Sequence, residues 1–433
     1  MTNGDTNRTI GLCLSGGGYR ASFFHLGVLR YLAEAGQLAN IQAISTVSGG
    51  SIAGTFLATK WDVLKDVGFT LDAYMNEVYD PFVQRVTSGN FRNRWLGLSL
   101  LTTPLLLWLP FTWIKLWSWF FDRWFYGNTR LNMHQLPAGL DLAINATSLQ
   151  SARAYRFART YRGEDSTGYS EDRPYDDQPV RVSDAVTASS AHLPLYIPLG
   201  ADGGQWFVDG GVYDNTGLDW FLDWEAKRRD GERPQSSSQP AFLIASDASP
   251  ELRSWEAQWW RQLPVLRILP VAGRVFSIIF EQTRRTRKDW FIDRIRPHEK
   301  GNKTRRNPRK RNEGIIISID QVAADLGEID QVEDSDILKA LSLPEPVVDK
   351  VRAIRTDMDS FQEVEAELLA YHGYSLMHVY LKVLQKDTKI GGRPLYVQGE
   401  PRWKLDPPPT EIAHYEEELK NSAKRFDWRR RFI

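Results

Sequence analysis

Twice within the first sixty residues a short apolar run ends in small residues and passes at once into helical periodicity. The first unit is TIGLCLSGGGYRASFFHLGVLRYLAE, residues 9–34, and the second is IQAISTVSGGSIAGTFLA, residues 41–58. Neither unit leaves room for a hairpin, so the two strands must be joined through a helix and pair in parallel. Periodicity predicts strands over Thr9–Leu14 and Ile41–Val47. It predicts helices over Ser22–Glu34, with Phe23, Leu26, Leu29 and Tyr31 apolar, and from Ile52 to Ala58. Further strands are expected at Leu140–Ala146, Ala154–Ala158, Gln205–Val208, Ala241–Ser246 and Ile315–Ile319, and a long helix at Met358–Leu384. The rhythm implies an α/β fold, a mostly parallel central sheet covered by helices on both faces.

The chain has 433 residues, 42% of them hydrophobic, enough for a large core. Lys plus Arg and Asp plus Glu both number 54, so no global field draws the protein to a nucleic acid polymer, and none is expected as a partner. Its single cysteine, Cys13, lies inside an apolar strand as a small core residue, and MTNGDTNRTI lacks a signal-peptide core. A reducing cytoplasm is the expected location. No internal repeat is present. Residues 96–121 are Trp-rich and almost uncharged, whereas 231–240 and 299–313 are polar loops, the latter strongly basic.

Three consecutive glycines, Gly16, Gly17 and Gly18, let a backbone approach an anion, either a bound phosphate or a transient oxyanion. A dinucleotide turn needs an acidic residue at the end of the next strand to hold the ribose. That strand instead ends in Thr46-Val47-Ser48-Gly49-Gly50, and no Gly-Lys-Ser/Thr follows the first glycines. Ser48, directly after a strand and before a helix, has the context of a nucleophile elbow, although Thr46 stands where glycine is usual. Backbone N–H groups of Gly16 to Gly18 beside it would complete an oxyanion site. For a base, Asp209 closes the strand Gln205–Val208 at its carboxyl end, while Asp202 reads as a turn residue. Of the seven histidines, His298 and His372 are the reserve candidates; the others read as packed or surface residues. The histidines and acids show no metal-ligand spacing, so neither a metal nor a cofactor is expected.

Taken in order, the glycine turn with Arg20, the Ser48 motif and Asp209-Gly210-Gly211 resemble the patatin-like phospholipase family. LAINATSLQSARAYRF and VSDAVTASSAHLPLYIP resemble its connecting segments. The resemblance covers about residues 9–220. It implies a three-layer α/β/α core and hydrolysis of lipid acyl esters by a Ser48–Asp209 dyad without histidine. Gly16, Gly17 and Gly18 would form the oxyanion hole, supported by Arg20, Gly49, Gly50, Gly210 and Gly211. Arg20 would either fix the glycine turn or bind a lipid phosphate. On this basis residues 1–250 are expected to be the catalytic core and 251–433 a C-terminal part of the same domain. Two other functions stay open: a phospholipase effector switched on by a ligand or partner, and a non-catalytic membrane-binding scaffold.

A membrane phospholipid substrate requires contact with a lipid surface. The insertion at about 92–126 offers one, because Pro104 and Pro110 interrupt it too often for a spanning helix. From Phe111 onward, Thr112, Lys115, Ser118 and Asp122 share a polar face. Trp108, Trp113, Trp117, Phe120 and Trp124 are the expected membrane contacts of a peripherally bound protein. A buried hairpin or a homo-oligomer contact is the alternative. Core packing is the expected role of the later apolar tract, residues 254–280.

Overall fold

The computed structural model describes residues 9–106, 112–159, 162–164, 179–192, 199–201, 204–222, 240–249, 252, 264–295, 313–326, 335–386 and 401–423. The two N-terminal units form as their patterns require: β1 (Ile10–Leu14) into α1 (Gly18–Glu34), and β2 (Ile41–Val47) into α2 (Gly49–Thr59). Both helices begin earlier than their apolar periodicity does. Gly18 and Gly49 are themselves first-turn residues, so each small-residue cluster is a helix N-terminus.

The remaining described strands are β3 (Asp141–Ser148), β4 (Ala154–Ala158), β5 (Arg162–Glu164), β6 (Leu199–Ala201), β7 (Gln205–Asp209), β8 (Phe242–Asp247) and β9 (Glu313–Ser318). They make one sheet in the order β5-β4-β3-β2-β1-β8-β9, parallel from β3 to β9 and antiparallel at β4 and β5. The fold is therefore mixed α/β with a mostly parallel central sheet flanked by helices.

One register positions the site. The first part of β3 pairs in parallel with β2, ending at Val47 opposite Asn145. The next residues of β3 pair antiparallel with β7, Ala146 opposite Asp209. Since β4 pairs with β3 over Ala143–Thr147, β7 continues the line of β2 on the other edge of β3, running in the opposite sense. The carboxyl ends of β2 and β7 thus meet head to head.

Six further helices bear on this region: α3 (Phe91–Leu106), α4 (Thr112–Phe125), α5 (Val182–Ser189), α6 (Pro264–Ile295), α7 (Glu345–Ala353) and α8 (Glu363–Lys386). Helix α8 crosses α1 closely because Gly27 faces the Ala370 carbonyl and Gly373 the Phe24 carbonyl. A Cβ on either glycine would fall within 2.2 Å of that oxygen. Between α7 and α8, the buried guanidinium of Arg355 bonds Asp359 at 2.7 Å and Glu365 at 2.6 Å. This holds the connecting loop against the start of α1, where the Tyr19 N–H donates to the Asp357 carbonyl at 3.1 Å. The C-terminal residues therefore share both the sheet, through β9, and the packing of α1.

The aromatic segment folds as two helices, α3 and α4, but part of the face expected to meet lipid is packed inside the protein. Trp117 is only 1% exposed and Phe120 is buried; Trp117 packs edge-on against Phe91 and Trp95 at centroid distances of 4.8 and 4.9 Å. Trp124 is half-buried, with the Arg94 guanidinium over its ring. The supposed water face is also committed. Ser118 Oγ donates to Asp184 Oδ1 at 2.6 Å, and buried Asp122 accepts the Arg130 N–H at 3.1 Å. Once its polar atoms are satisfied internally, a helix can bury its polar side as well as its aromatic one. Trp108 lies outside the described residues, as do Asp202, His298 and most of the 231–240 and 299–313 loops. Among the described residues no helix is long and apolar enough to cross a membrane.

Candidate active site

Ser48 lies in the turn between β2 and α2 at φ 49° and ψ −116°, a conformation unfavourable for any residue with a Cβ. The neighbouring chain imposes it. Gly50 passes so close to β1 that a Cβ there would stand 2.3 Å from the Leu14 carbonyl, and its N–H donates to the Ser15 carbonyl at 3.1 Å. Gly49 presses on Gly18 in the same way, and its carbonyl accepts the Ser22 hydroxyl at 2.7 Å. The starts of α1 and α2 are thereby brought together beside Ser48.

Thr46 fits this turn through Gly54. Its γ-methyl occupies the space that a Cβ at Gly54 would enter, at 2.6 Å, so the bulk missing at one position is supplied at the other.

Asp209 faces Ser48 across the junction of the two strand ends. The Asp209 carboxyl is buried, accepts the Gly211 N–H at 2.8 Å and is hydrogen-bonded by the Ser48 side chain. Burial pushes its pKa up from 3.8 to about 7, despite those two bonds, which favour the charged form. The Gly210 N–H donates to the Ser189 carbonyl and the Asp209 N–H to the Ala191 carbonyl, so the turn after α5 fixes the Asp-Gly-Gly segment.

The glycine turn departs from expectation at one position. The Gly16 N–H donates to the Asn215 carbonyl at 3.0 Å and is not free to meet an anion. Gly17 and Gly18, at φ 140° and 59°, adopt conformations that favour glycine. Their N–H groups, and that of Gly49, have no acceptor among the described residues. Three donors at two converging helix starts thus remain available beside Ser48.

Residues outside the motifs, together with Arg20 from the first of them, support this turn. Asn215, six residues after Asp209, donates through Nδ2 to Ser249 Oγ at 2.8 Å. Its Oδ1 fills the space where Gly16 and Gly211 would carry side chains. His25 lies beneath the turn. The Ser15 carbonyl can only accept, so His25 Nε2 donates to it at 2.9 Å and Nδ1 accepts from Ser246 Oγ at 2.7 Å. Burial lowers the His25 pKa to about 4, which keeps the ring neutral. Arg20 is buried and donates to the Ile354 carbonyl at 2.9 Å, tying α1 to the loop after α7. Its geometry is that of a brace. The reserve base His372 bonds the Ile319 carbonyl at 3.0 Å and packs on Phe24, with its pKa lowered to about 4 by burial. Among the described residues no group of three or more His, Cys, Asp or Glu could hold a metal ion.

A serine held at positive φ between a parallel strand and a helix, beside free N–H donors, is the architecture of an α/β acyl-hydrolase domain. Residues 12–222 match the family model described as Patatin-like phospholipase, and the chain carries a domain of that family. No curated protein matches the chain. Among solved structures it is similar to human GIVD cytosolic phospholipase A2, at 14% identity over 90% of this chain and 61% of that one, with a TM-score of 0.44. A second structure of the human protein aligns at 16% identity over 43% of this chain and only 28% of its own length, with a TM-score of 0.31. The chain therefore spans less than two thirds of that protein. VipD from Legionella pneumophila is similar at 12% identity over 98% of this chain and 81% of its own, with a TM-score of 0.31.

Proposed function

We propose that the chain is a lipid acyl hydrolase acting on phospholipid esters through Ser48 and Asp209. Ser48 Oγ bonds to the acyl carbon as its proton passes to Asp209. The carbonyl oxygen becomes an oxyanion held by the N–H groups of Gly17, Gly18 and Gly49. Collapse returns the proton to the departing alkoxide and leaves Ser48 acylated. Water then attacks the acyl-enzyme, Asp209 taking its proton and returning it to Ser48. The observation that carries this reading is the buried carboxyl of Asp209, hydrogen-bonded to a serine at positive φ and shifted to a pKa of about 7. Such a carboxylate is a better base near neutrality than an ordinary aspartate.

Helix α6 supports access from a lipid surface. Val275, Ile278 and Ile279, spaced to share one helical face, are 48%, 42% and 37% exposed. Phe280 beside them stacks near His192 at a centroid distance of 5.0 Å, and Thr283 Oγ1 stands 3.5 Å from the Gly211 carbonyl. The exposed apolar face is thus continuous with the Asp209 turn. Lipid contact accordingly belongs to α6, where core packing was expected, rather than to Trp117 and Phe120.

The test is labelling by a fluorophosphonate probe together with release of fatty acid from phosphatidylcholine vesicles. Wild-type protein is expected to show both, and Ser48→Ala neither. Labelling of Ser48→Ala at the wild-type rate would overturn the assignment.

A further inference from the structure

Four buried groups around Ser48 form an unbroken line of hydrogen bonds. The Ser48 N–H donates to Ser189 Oγ at 2.9 Å; Ser189 Oγ and Ser51 Oγ are 2.8 Å apart; Ser51 Oγ donates to Thr46 Oγ1 at 3.0 Å; and Thr46 Oγ1 donates to the Ala143 carbonyl at 3.1 Å. The direction of the line follows from its ends. A carbonyl oxygen cannot donate, so the Thr46 proton points to Ala143, and the Ser51 proton must point to Thr46. The remaining bond is then Ser189 donating to Ser51, which leaves the lone pairs of Ser189 Oγ turned toward the Ser48 N–H. Each hydroxyl has one proton and one place to put it. The three side chains belong to α5, α2 and β2, and the line ends on β3, so it ties together four of the elements that meet at the elbow.

We propose that this line is a positioning device for the nucleophile, with Ser189 as its principal residue and Thr46 and Ser51 orienting it. The proposal rests on the acyl-transfer reading of Ser48. Its purpose is set by the backbone of Ser48, which at φ 49° needs surrounding contacts to hold it. A fixed acceptor for the Ser48 N–H holds that peptide in place. It also keeps this donor out of the proposed oxyanion site, leaving it the N–H groups of Gly17, Gly18 and Gly49 among the described residues. Ser189 acts on both partners of the dyad, because its carbonyl accepts the Gly210 N–H at 3.2 Å while its hydroxyl holds Ser48. Thr46, in place of the usual elbow glycine, is then a requirement of this chain, since only a hydroxyl there gives the line an end.

The discriminating pair is Thr46→Val, which keeps the volume facing Gly54 and removes the hydroxyl, and Thr46→Ser, which does the reverse. Turnover of a short soluble ester, the rate of fluorophosphonate labelling and the melting temperature would be measured for both, alongside Ser189→Ala and Ser48→Ala. Thr46→Val and Ser189→Ala are expected to lose about tenfold or more in kcat and in labelling rate, with KM little changed. Thr46→Ser is expected to retain more activity than Thr46→Val, even if it melts lower. Thr46→Val matching or exceeding Thr46→Ser would overturn the proposal, as would native kcat in Ser189→Ala. If Ser189→Ala fails to fold, the Thr46 pair still decides. Undiminished turnover in Ser48→Ala would instead overturn the acyl-transfer reading on which the proposal rests.

Discussion

Replacing Asp209 by asparagine is expected to make the protein inactive and, at alkaline pH, more stable. The unfolded chain ionises Asp209 at the ordinary value of 3.8, whereas burial delays ionisation in the folded protein to about 7. Between those values the folded state binds the extra proton. The stability contributed by this group is fully present below pH 3.8 and is lost as pH rises through about 7. The rise corresponds to about 4 kcal/mol of destabilisation at pH 8 relative to pH 4. Asparagine has nearly the same shape, its Oδ1 can still accept the Gly211 N–H, and its amide can donate to Ser48, so no polar atom is orphaned. Asp209→Asn should therefore melt about 4 °C above wild type at pH 8, given an unfolding entropy of roughly 0.9 kcal/mol/K for a chain of this size, with almost no gain at pH 4. The difference between the two proteins is the quantity to read. His25, His372 and His378, whose pKa values burial lowers to about 4, add an opposing pH dependence that is common to both. Differential scanning calorimetry at half-unit steps from pH 4 to 8 measures it. A gain of equal size at both ends, or a loss at pH 8, would refute the argument from burial.

Two further outcomes separate the candidate groups from their neighbours. Ile278→Glu with Ile279→Glu should abolish flotation with phosphatidylcholine vesicles while leaving soluble-ester turnover and melting near wild type, whereas Trp117→Glu buries an unpaired carboxylate and should lose soluble expression, at a cost of several kcal/mol; vesicle binding that survives the first pair would remove α6 from the interface. His372→Gln, whose amide can still donate to the Ile319 carbonyl, should keep turnover within about tenfold, and a thousandfold fall in a folded variant would place histidine in the mechanism.

The two strand-to-helix units were legible because each rests on local information, an apolar run followed by small residues, and Ser48 followed from its place between them. Asp209 was legible as a strand end, but its meeting with Ser48 depends on how β3 divides its edge between β2 and β7, a register written about a hundred residues away from Ser48. The free and occupied N–H groups of Gly16 to Gly18 cannot be told apart in a run of identical residues. Only the approach of Asn215, two hundred positions on, distinguishes them. Residues 112–125 misled for a different reason. Amphipathic periodicity reports that a helix has two unlike sides, not which of them meets water, and Ser118 and Asp122 satisfy their polar atoms on Asp184 and on the chain at Arg130. Thr46 shows the same limit at the scale of one residue. Against a motif it is a substitution for glycine, whereas against Gly54, Ser51 and Ala143 it is a complementary volume and the end of a proton-ordered line. A motif records which residue types fit a turn in isolation. Whether a departure from it weakens or completes the turn is decided by partners that become neighbours only once the sheet has formed.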